Sequence, residues 1–132
     1  MNDEPWRVWL RRARSNLARA ELGKQAEDIL YEDLCFDAQQ AVEKALKGLM
    51  VFLNIEIPKT HSVGYLLGQI EESGKAQVPE SLRDAALLTD YAVTARHPGD
   101  WDAVGEAEYE HAVNLAREVY RWVASITARS EA

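Results

Sequence analysis

One run of the sequence, DAQQAVEKALK, places polar side chains where they could together bind a ligand. Gln40, Glu43 and Lys47 recur at steps of three and four residues, which puts them on one face of a helix beside an apolar stripe. Lys44 fits the same spacing and is predicted to share that face. Glu43 precedes Lys47 in the favourable i,i+4 order, so the run predicts a hydrogen-bonded ladder. Ordinary helix-surface pairing, at about 0.3–0.5 kcal/mol per pair, explains the same pattern.

Two other segments place histidine or arginine at the predicted ends of helices. His61, in PKTHSV, lies at or just before a helix start, where it could act as a cap, a packing residue or a general acid or base. Arg96 and His97, in YAVTARHPG, fall where a helix ends. A guanidinium there stabilises the helix dipole and can also bind two phosphate oxygens. The candidate catalytic residues are Arg96, His97 and His61; the candidate ligand-binding residues are Arg96, His61, Lys44, Lys47, Gln40 and Glu43.

Other kinds of chemistry find little support in the sequence. Cys35 is the single cysteine, so an internal disulfide or a C-x-x-C zinc site is excluded, and its place beside the apolar stripe predicts a buried residue rather than a nucleophile. There is no glycine-rich phosphate loop, H-E-x-x-H, G-x-S-x-G or E-x-x-H pair. The three histidines lie on separate segments. We therefore expect neither a metal nor a cofactor.

Composition indicates a small acidic domain with one basic segment. The 132 residues carry a formal charge of −7, which argues against binding nucleic acid through bulk charge. Residues 1–24, however, hold six basic and three acidic side chains, and Arg7, Arg11 and Arg14 share a helix face. That face is either solvated or docks phosphate, an acidic partner or a second copy of the chain. With no apolar leader and no apolar run of about 20 residues, we expect a cytoplasmic protein.

The elements that position these residues are predicted to be helices throughout, because apolar residues recur at three- and four-residue steps and never alternate. The first helix opens at Pro5 and stops near Gly23, and the second, from about Tyr31 to Leu53, is the longest. A short helix after Pro58 is capped by Thr60 or Ser62. A fourth opens at Pro79, and the last runs from about Gly105 to Thr127.

Five helices with short connections predict an all-α fold, an up-and-down antiparallel bundle forming a single domain over residues 1–132. Alanine on the core stripes predicts close approach between helices. A chain of this length has a modest core, so a monomer is expected to leave an apolar stripe exposed that a second copy would bury.

The order of the segments is more specific than any one of them. A Trp-rich first helix precedes CFDAQQAVEKALKGLM, which is followed by Pro-x-Thr-His at residues 58–61 and Tyr-x4-Arg-x-Pro at residues 91–98. This arrangement resembles the HEPN domain family, the higher eukaryote and prokaryote nucleotide-binding domain, over about residues 5–126. The resemblance implies a helical bundle paired as a homodimer, a minimal nucleotidyltransferase as partner, and a role in a toxin–antitoxin pair.

The resemblance also implies a test for catalysis. Active members are metal-independent endoribonucleases with an arginine followed, after four to six residues, by a histidine. Counted from Arg96, that window holds Trp101, Asp102 and Ala103. The sequence therefore favours a dimeric nucleotide- or RNA-associated interaction module that partners a nucleotidyltransferase. The alternative is an endoribonuclease toxin that uses Arg96 with His97 or His61.

Overall fold

The computed structural model describes residues 4–92 and 103–129, and within these ranges every regular element is a helix. In chain order they are α1 (Pro5–Glu21), α2 (Tyr31–Phe52), α3 (Val63–Ser73), a 3₁₀ helix (Glu80–Ala92) and α4 (Glu106–Arg129). The predicted all-α bundle is confirmed. The fourth helix begins where expected but has 3₁₀ hydrogen bonding, which is tighter than that of an α-helix, and its predicted end at Arg96 lies outside the described residues.

Local sequence explains where the shorter helices begin and end. Pro5 occupies the first turn of α1, where its missing N–H costs no helix hydrogen bond. Ser62 caps α3 by accepting a hydrogen bond from the backbone N–H of Tyr65 at 3.1 Å. Thr60, the other predicted cap, instead accepts from the N–H of Ser62. The helix ends at Gly74, whose φ of 72° is readily adopted by glycine.

Helix α2 lies at the centre of the bundle and packs against every other helix. Its buried stripe repeats with helical periodicity because that side faces α1, the 3₁₀ helix and α4 in turn. The buried apolar residues of α2 are Leu34, Cys35, Ala38, Ala41, Val42, Ala45, Leu46, Leu49 and Met50. Three polar residues, Asp37, Gln39 and Glu43, are buried on the same helix.

Helices α1 and α2 are antiparallel and lie unusually close, as the alanine-rich stripes predict. A Cβ added at Gly48 would lie 2.9 Å from the Cβ of Trp9 and 3.3 Å from the carbonyl oxygen of Trp6. Glycine is therefore required at this crossing. Beyond it, the rings of Trp6 and Phe52 meet edge to face with centroids 5.2 Å apart.

Helix α4 is joined to the end of α1 and the start of α2. The Tyr109 ring stacks on Tyr31 with centroids 5.0 Å apart, and its hydroxyl donates to the carbonyl of Ala20. Since the start of α4 thus meets the end of α1, these two helices run antiparallel. Their facing residues form a groove along one side of the bundle.

Most large apolar side chains of the described residues are buried. The exposed exceptions are Leu22, Leu30, Tyr65 and Leu87, of which Leu87 on the 3₁₀ helix is 64% exposed. Each described helix is too short or too polar to cross a lipid bilayer.

Candidate functional site

The carboxylate of Glu43 organises the polar cluster that the sequence places on α2. Its Oε1 accepts a hydrogen bond from Gln39 Nε2 at 3.0 Å and faces Nδ1 of His61 at 2.9 Å. Its Oε2 accepts from Lys47 Nζ at 3.0 Å. We call Gln39, Glu43, Lys47 and His61 the Glu43 cluster. The predicted Glu43–Lys47 pair is thus present, and the fold adds two further partners.

The segment before α3 brings His61 to Glu43. Ser62 and Thr60 fix the turn by their capping hydrogen bonds, and the N–H of Val63 donates to Thr89 Oγ1 on the 3₁₀ helix at 3.0 Å. These bonds hold the chain so that the His61 ring reaches α2. His61 is consequently a positioned residue, and Ser62 takes the role of the cap.

The cluster has a buried side and a solvent side. The Glu43 side chain is 7% exposed and that of Lys47 is 12% exposed, whereas the His61 side chain is 73% exposed. Gln39 is fully buried. The carboxylate is therefore shielded from water, while the imidazole projects from it toward solvent.

Burial alone would raise the pKa of Glu43, because a charged carboxylate is poorly solvated there. Hydrogen bonds from His61, Gln39 and Lys47, together with the charge on Lys47, outweigh burial and hold the pKa of Glu43 below its usual value. Glu43 is accordingly an anion at neutral pH, and its charge is matched by Lys47 inside the bundle.

An ionised carboxylate only accepts hydrogen bonds, so the short contact to Glu43 places a hydrogen on Nδ1 of His61. In the neutral ring, Nε2 then carries the lone pair. A histidine held in this way can accept a proton from a ligand hydroxyl or, when protonated, donate hydrogen bonds to phosphate oxygens. The structure thus supplies an oriented imidazole at the surface.

Lys44 does not join this cluster, contrary to the expectation of a shared face. Its Nζ donates to Oδ1 of Asn16 on α1 at 2.7 Å, and Asn16 Nδ2 donates to Asp37 Oδ1 at 3.1 Å. Arg19 Nε lies 3.5 Å from the other Asp37 oxygen. One residue of rotation about α2, about 100°, separates Lys44 from Glu43 and directs it toward α1. Lys44 therefore links two helices.

Gln40 also differs from its predicted place in the ladder. Its Nε2 donates to Oε1 of Gln39 at 2.7 Å, and it is Gln39 that bonds Glu43. The sequence analysis missed Gln39 and Asn16. Gln39 lies four residues before Glu43, which is a usable signal for a helix-face contact. The partners of Asn16 are Asp37, 21 positions later in the chain, and Lys44, 28 positions later, so sequence spacing gives no signal for these contacts.

Arg96 and His97 lie outside the described residues. His111 is exposed on α4 and lines a groove with Tyr91 and Glu108, apart from the Glu43 cluster. Across residues 4–92 and 103–129, no group of three histidine, cysteine, aspartate or glutamate side chains is placed to hold a metal ion.

Cys35 is buried, as its position beside the apolar stripe predicts. Burial, reinforced by the negative charge of Glu108, raises the pKa of its thiol to about 11. Since the thiolate is the reactive form, a thiol with this pKa is a poor nucleophile at neutral pH. Cys35 is best described as a small core residue.

Comparison with known proteins gives consistent results. The family model of the HEPN domain matches residues 6–126. The crystal structure of TT1696 from Thermus thermophilus superimposes with a TM-score of 0.76 at 35% identity, covering 91% of this chain and 96% of that one. ST0689, an archaeal HEPN homologue, gives a TM-score of 0.72 at 26% identity, with 93% and 98% covered. No curated protein matches the chain.

Proposed function

The chain belongs to the HEPN domain family, and on this premise we propose that it acts as a dimeric module that binds nucleotide or RNA and pairs with a minimal nucleotidyltransferase in a toxin–antitoxin type system. The observation that carries the nucleotide-binding part is the Glu43 cluster, in which a buried carboxylate fixes an exposed imidazole. Such fixed donors lose little conformational entropy on binding phosphate.

The cluster lies near the segment of the chain that leads to Arg96. Thr89, which binds the N–H of Val63 next to the His61 turn, precedes Arg96 by only seven residues in the sequence. Arg96 is the proposed phosphate ligand because its guanidinium presents two parallel N–H donors to two oxygens. In this proposal His61 supplies a further hydrogen bond from a ring that Glu43 orients, and Lys47 balances the charge of Glu43.

Calorimetric titration with ATP tests this proposal. Arg96→Ala should lose most of the binding with little change in melting temperature, and His61→Ala should weaken it. Arg83→Ala removes the same charge from the 3₁₀ helix and should bind normally. If Arg96→Ala instead lowers the free energy of unfolding by as much as it lowers the free energy of ATP binding, Arg96 is a structural helix-end residue and the proposal fails.

Support for a dimer comes from the face between the 3₁₀ helix and α4. Leu87 is 64% exposed there and lines the same groove as Leu88, Ala112 and Leu115. Exposed leucine beside other apolar groups favours association with another protein surface. We expect light scattering to give a dimer at micromolar concentration and Leu87→Glu to give a folded monomer. A wild-type monomer would contradict this part.

The Glu43–His61 contact favours a second candidate function, metal-independent RNA cleavage. Nε2 of His61 would take the proton of a ribose 2′-hydroxyl, and the 2′-oxygen would attack the adjacent phosphorus as the 5′-oxygen leaves and takes a proton from water. The products are a 2′,3′-cyclic phosphate and a 5′-hydroxyl end. Arg96 would stabilise the charge on the phosphoryl oxygens in the transition state.

Cleavage of RNA in the presence of EDTA decides between the two functions. In an enzyme, His61→Ala abolishes cleavage, and Glu43→Gln lowers kcat because the ring loses its orientation. A substrate with a 2′-deoxy residue at the cleaved position should remain intact. If the wild type, free of partner and of nucleotide adducts by mass, leaves RNA intact, the binding module stands.

A further inference from the structure

A cationic site lies away from the Glu43 cluster, in the groove between α1 and α4. The groove has a volume of about 220 Å³ and shares no residue with the Glu43 cluster. It is lined by Arg14, Leu17 and Glu21 from α1 and by Arg117, Tyr120 and Arg121 from α4. Residues nearly a hundred or more positions apart thus form one continuous surface, which sequence spacing could not indicate.

One carboxylate holds two of the three guanidinium groups together. Glu21 accepts from Arg14 Nη1 at 3.0 Å and from Arg117 Nε at 2.7 Å. The hydrogen bond from Arg117, followed by that from Arg14, lowers the pKa of Glu21 in spite of its partial burial. The ionised Glu21 therefore braces the two arginines across the helix boundary and fixes their heads in the groove.

The groove remains strongly positive after this pairing. Three arginines face one glutamate, a local charge of +2 on a protein whose formal charge is −7. Arg121 makes no ion pair with any residue in the described ranges, and a guanidinium has five N–H donors, of which Arg14 gives only one to Glu21. Arg117 gives one N–H to Glu21 and another to Asn114 at 3.0 Å, so most N–H donors of the three guanidinium groups have no partner among the described residues.

Two further features, more arginines along α1 and an aromatic side chain, bear on which ligand the groove can bind. Arg11 and Arg7 precede Arg14 by about one and two turns and lie on the same exposed side of α1, so the basic surface continues along the helix. Tyr120 is half-buried, packs with one part of its ring against the core and lines the groove beside the two arginines of α4. A positively charged groove that also contains an aromatic side chain is typical of proteins that bind single-stranded nucleic acid.

We propose that the α1/α4 groove binds single-stranded RNA, with the guanidinium groups of Arg14, Arg117 and Arg121 on successive phosphates and a base stacked on Tyr120. An acidic protein segment would use the charges but not the aromatic ring. The inference rests on the proposed association with RNA and deepens it by assigning a contact surface separate from His61 and Arg96.

Binding of a fluorescein-labelled ten-nucleotide oligo(U) RNA, measured by fluorescence anisotropy over a range of salt concentrations, tests the groove. The double variant Arg14→Ala/Arg121→Ala should lose affinity by about 10-fold or more at low salt. The negative slope of log K against log salt should become shallower by about 1.4, since each of the two lost phosphate contacts on a single strand contributes about 0.7. Arg83→Ala, which removes an arginine from the 3₁₀ helix, should retain both the affinity and the slope.

Two single variants separate charge from stacking. Glu21→Gln removes the negative charge from the groove and should tighten RNA binding, because the arginines it held become available to phosphate. Tyr120→Leu should weaken binding by about 5-fold or more with an unchanged salt slope, since the stacking of a base on an aromatic ring is lost while every charge stays. An unchanged affinity in Tyr120→Leu, with poly-glutamate competing as well as RNA, would overturn the proposal in favour of an acidic protein ligand.

RNA binding and ATP binding of the same variants show which of the two proposals fails, the groove or the Arg96 site. If Arg96→Ala abolishes ATP binding while the double variant binds RNA like the wild type, the groove proposal is wrong and the proposed function stands. If the double variant loses RNA binding while Arg96→Ala binds ATP and RNA normally, the groove is supported and the Arg96 site is not. Circular dichroism of each variant verifies that the helices remain.

Discussion

Two glutamates in this protein each hold two basic side chains, yet they lie in opposite environments. Glu43 is 7% exposed in its side chain and bonds Lys47 and His61 beside fully buried Gln39. Glu21 is 26% exposed and bonds Arg14 and Arg117 at the rim of a groove. The first carboxylate therefore contributes to the core, and the second arranges cations that are accessible to solvent.

The difference between the clusters follows from where each helix face points. Glu43 lies on the central helix α2, so its partners must satisfy it without water, and every buried polar side-chain atom of the described residues has a hydrogen-bond partner. Glu21 ends a peripheral helix, where its carboxylate is accessible to solvent. We expect the loss of Glu43 to act mainly on stability and the loss of Glu21 to act mainly on binding.

The largest effect should come from Glu43→Ala. Removing the carboxylate leaves the Lys47 ammonium and the buried amide of Gln39 without their shared acceptor, and breaking a buried pair in this way costs about 3 kcal/mol or more. Urea unfolding at pH 7 measures the loss. A loss below about 1 kcal/mol would mean that water already reaches the cluster.

Acid should act on the same carboxylate. Because the pKa of Glu43 is lower in the folded than in the unfolded chain, its stabilising contribution is complete above the ordinary carboxyl pKa and disappears as pH falls through the lowered value. The free energy of unfolding should therefore fall as the pH drops below about 4.5, the ordinary pKa of a glutamate side chain. Glu43→Gln should fall less steeply over that range. Parallel curves for wild type and variant would show that other carboxylates dominate acid unfolding.

His61→Ala should separate function from stability within the Glu43 cluster. The ring is 73% exposed, so its loss should cost less than about 1 kcal/mol of unfolding free energy while ligand binding falls. Thermal melting with and without ATP checks both effects. If the variant melts as early as Glu43→Ala, His61 is needed for folding rather than for binding.

Glu21→Ala should have the smallest effect on stability. Its two ion pairs lie at the solvent boundary, where such pairs contribute about 0–1 kcal/mol. Urea unfolding beside Glu43→Ala gives the direct comparison between the two glutamates. Equal losses would show that the α1/α4 contact, through Arg117, is as important to the fold as the core cluster.

Much of the fold was predictable because its rules are local. Proline and glycine positions, a cap at Thr60 or Ser62 and three- to four-residue apolar spacing indicated the order of the helices and most of the ends that lie in the described residues. Close packing at α2 was indicated by alanine on the stripes. The 3₁₀ geometry of the fourth helix was not predicted, since its apolar spacing also fits an α-helix.

The candidate site was predicted in part. The Glu43–Lys47 pair followed from i,i+4 spacing, and His61 was identified from its place at a helix start. The partners of Lys44 were not predictable. Lys44 lies about 100° around α2 from Glu43 and therefore faces α1. Only the packing of α1 against α2 determines that Lys44 meets Asn16.

By itself, the sequence determined the helices, the buried face of each and the resemblance to the HEPN family, because these depend on residues within a few turns of one another. The tertiary structure decided what those faces meet. It brought His61 to Glu43 across 18 positions and Arg117 to Glu21 across 96, contacts set by how helices cross rather than by spacing along the chain. Local interactions specify the elements, and long-range packing specifies the chemistry between them.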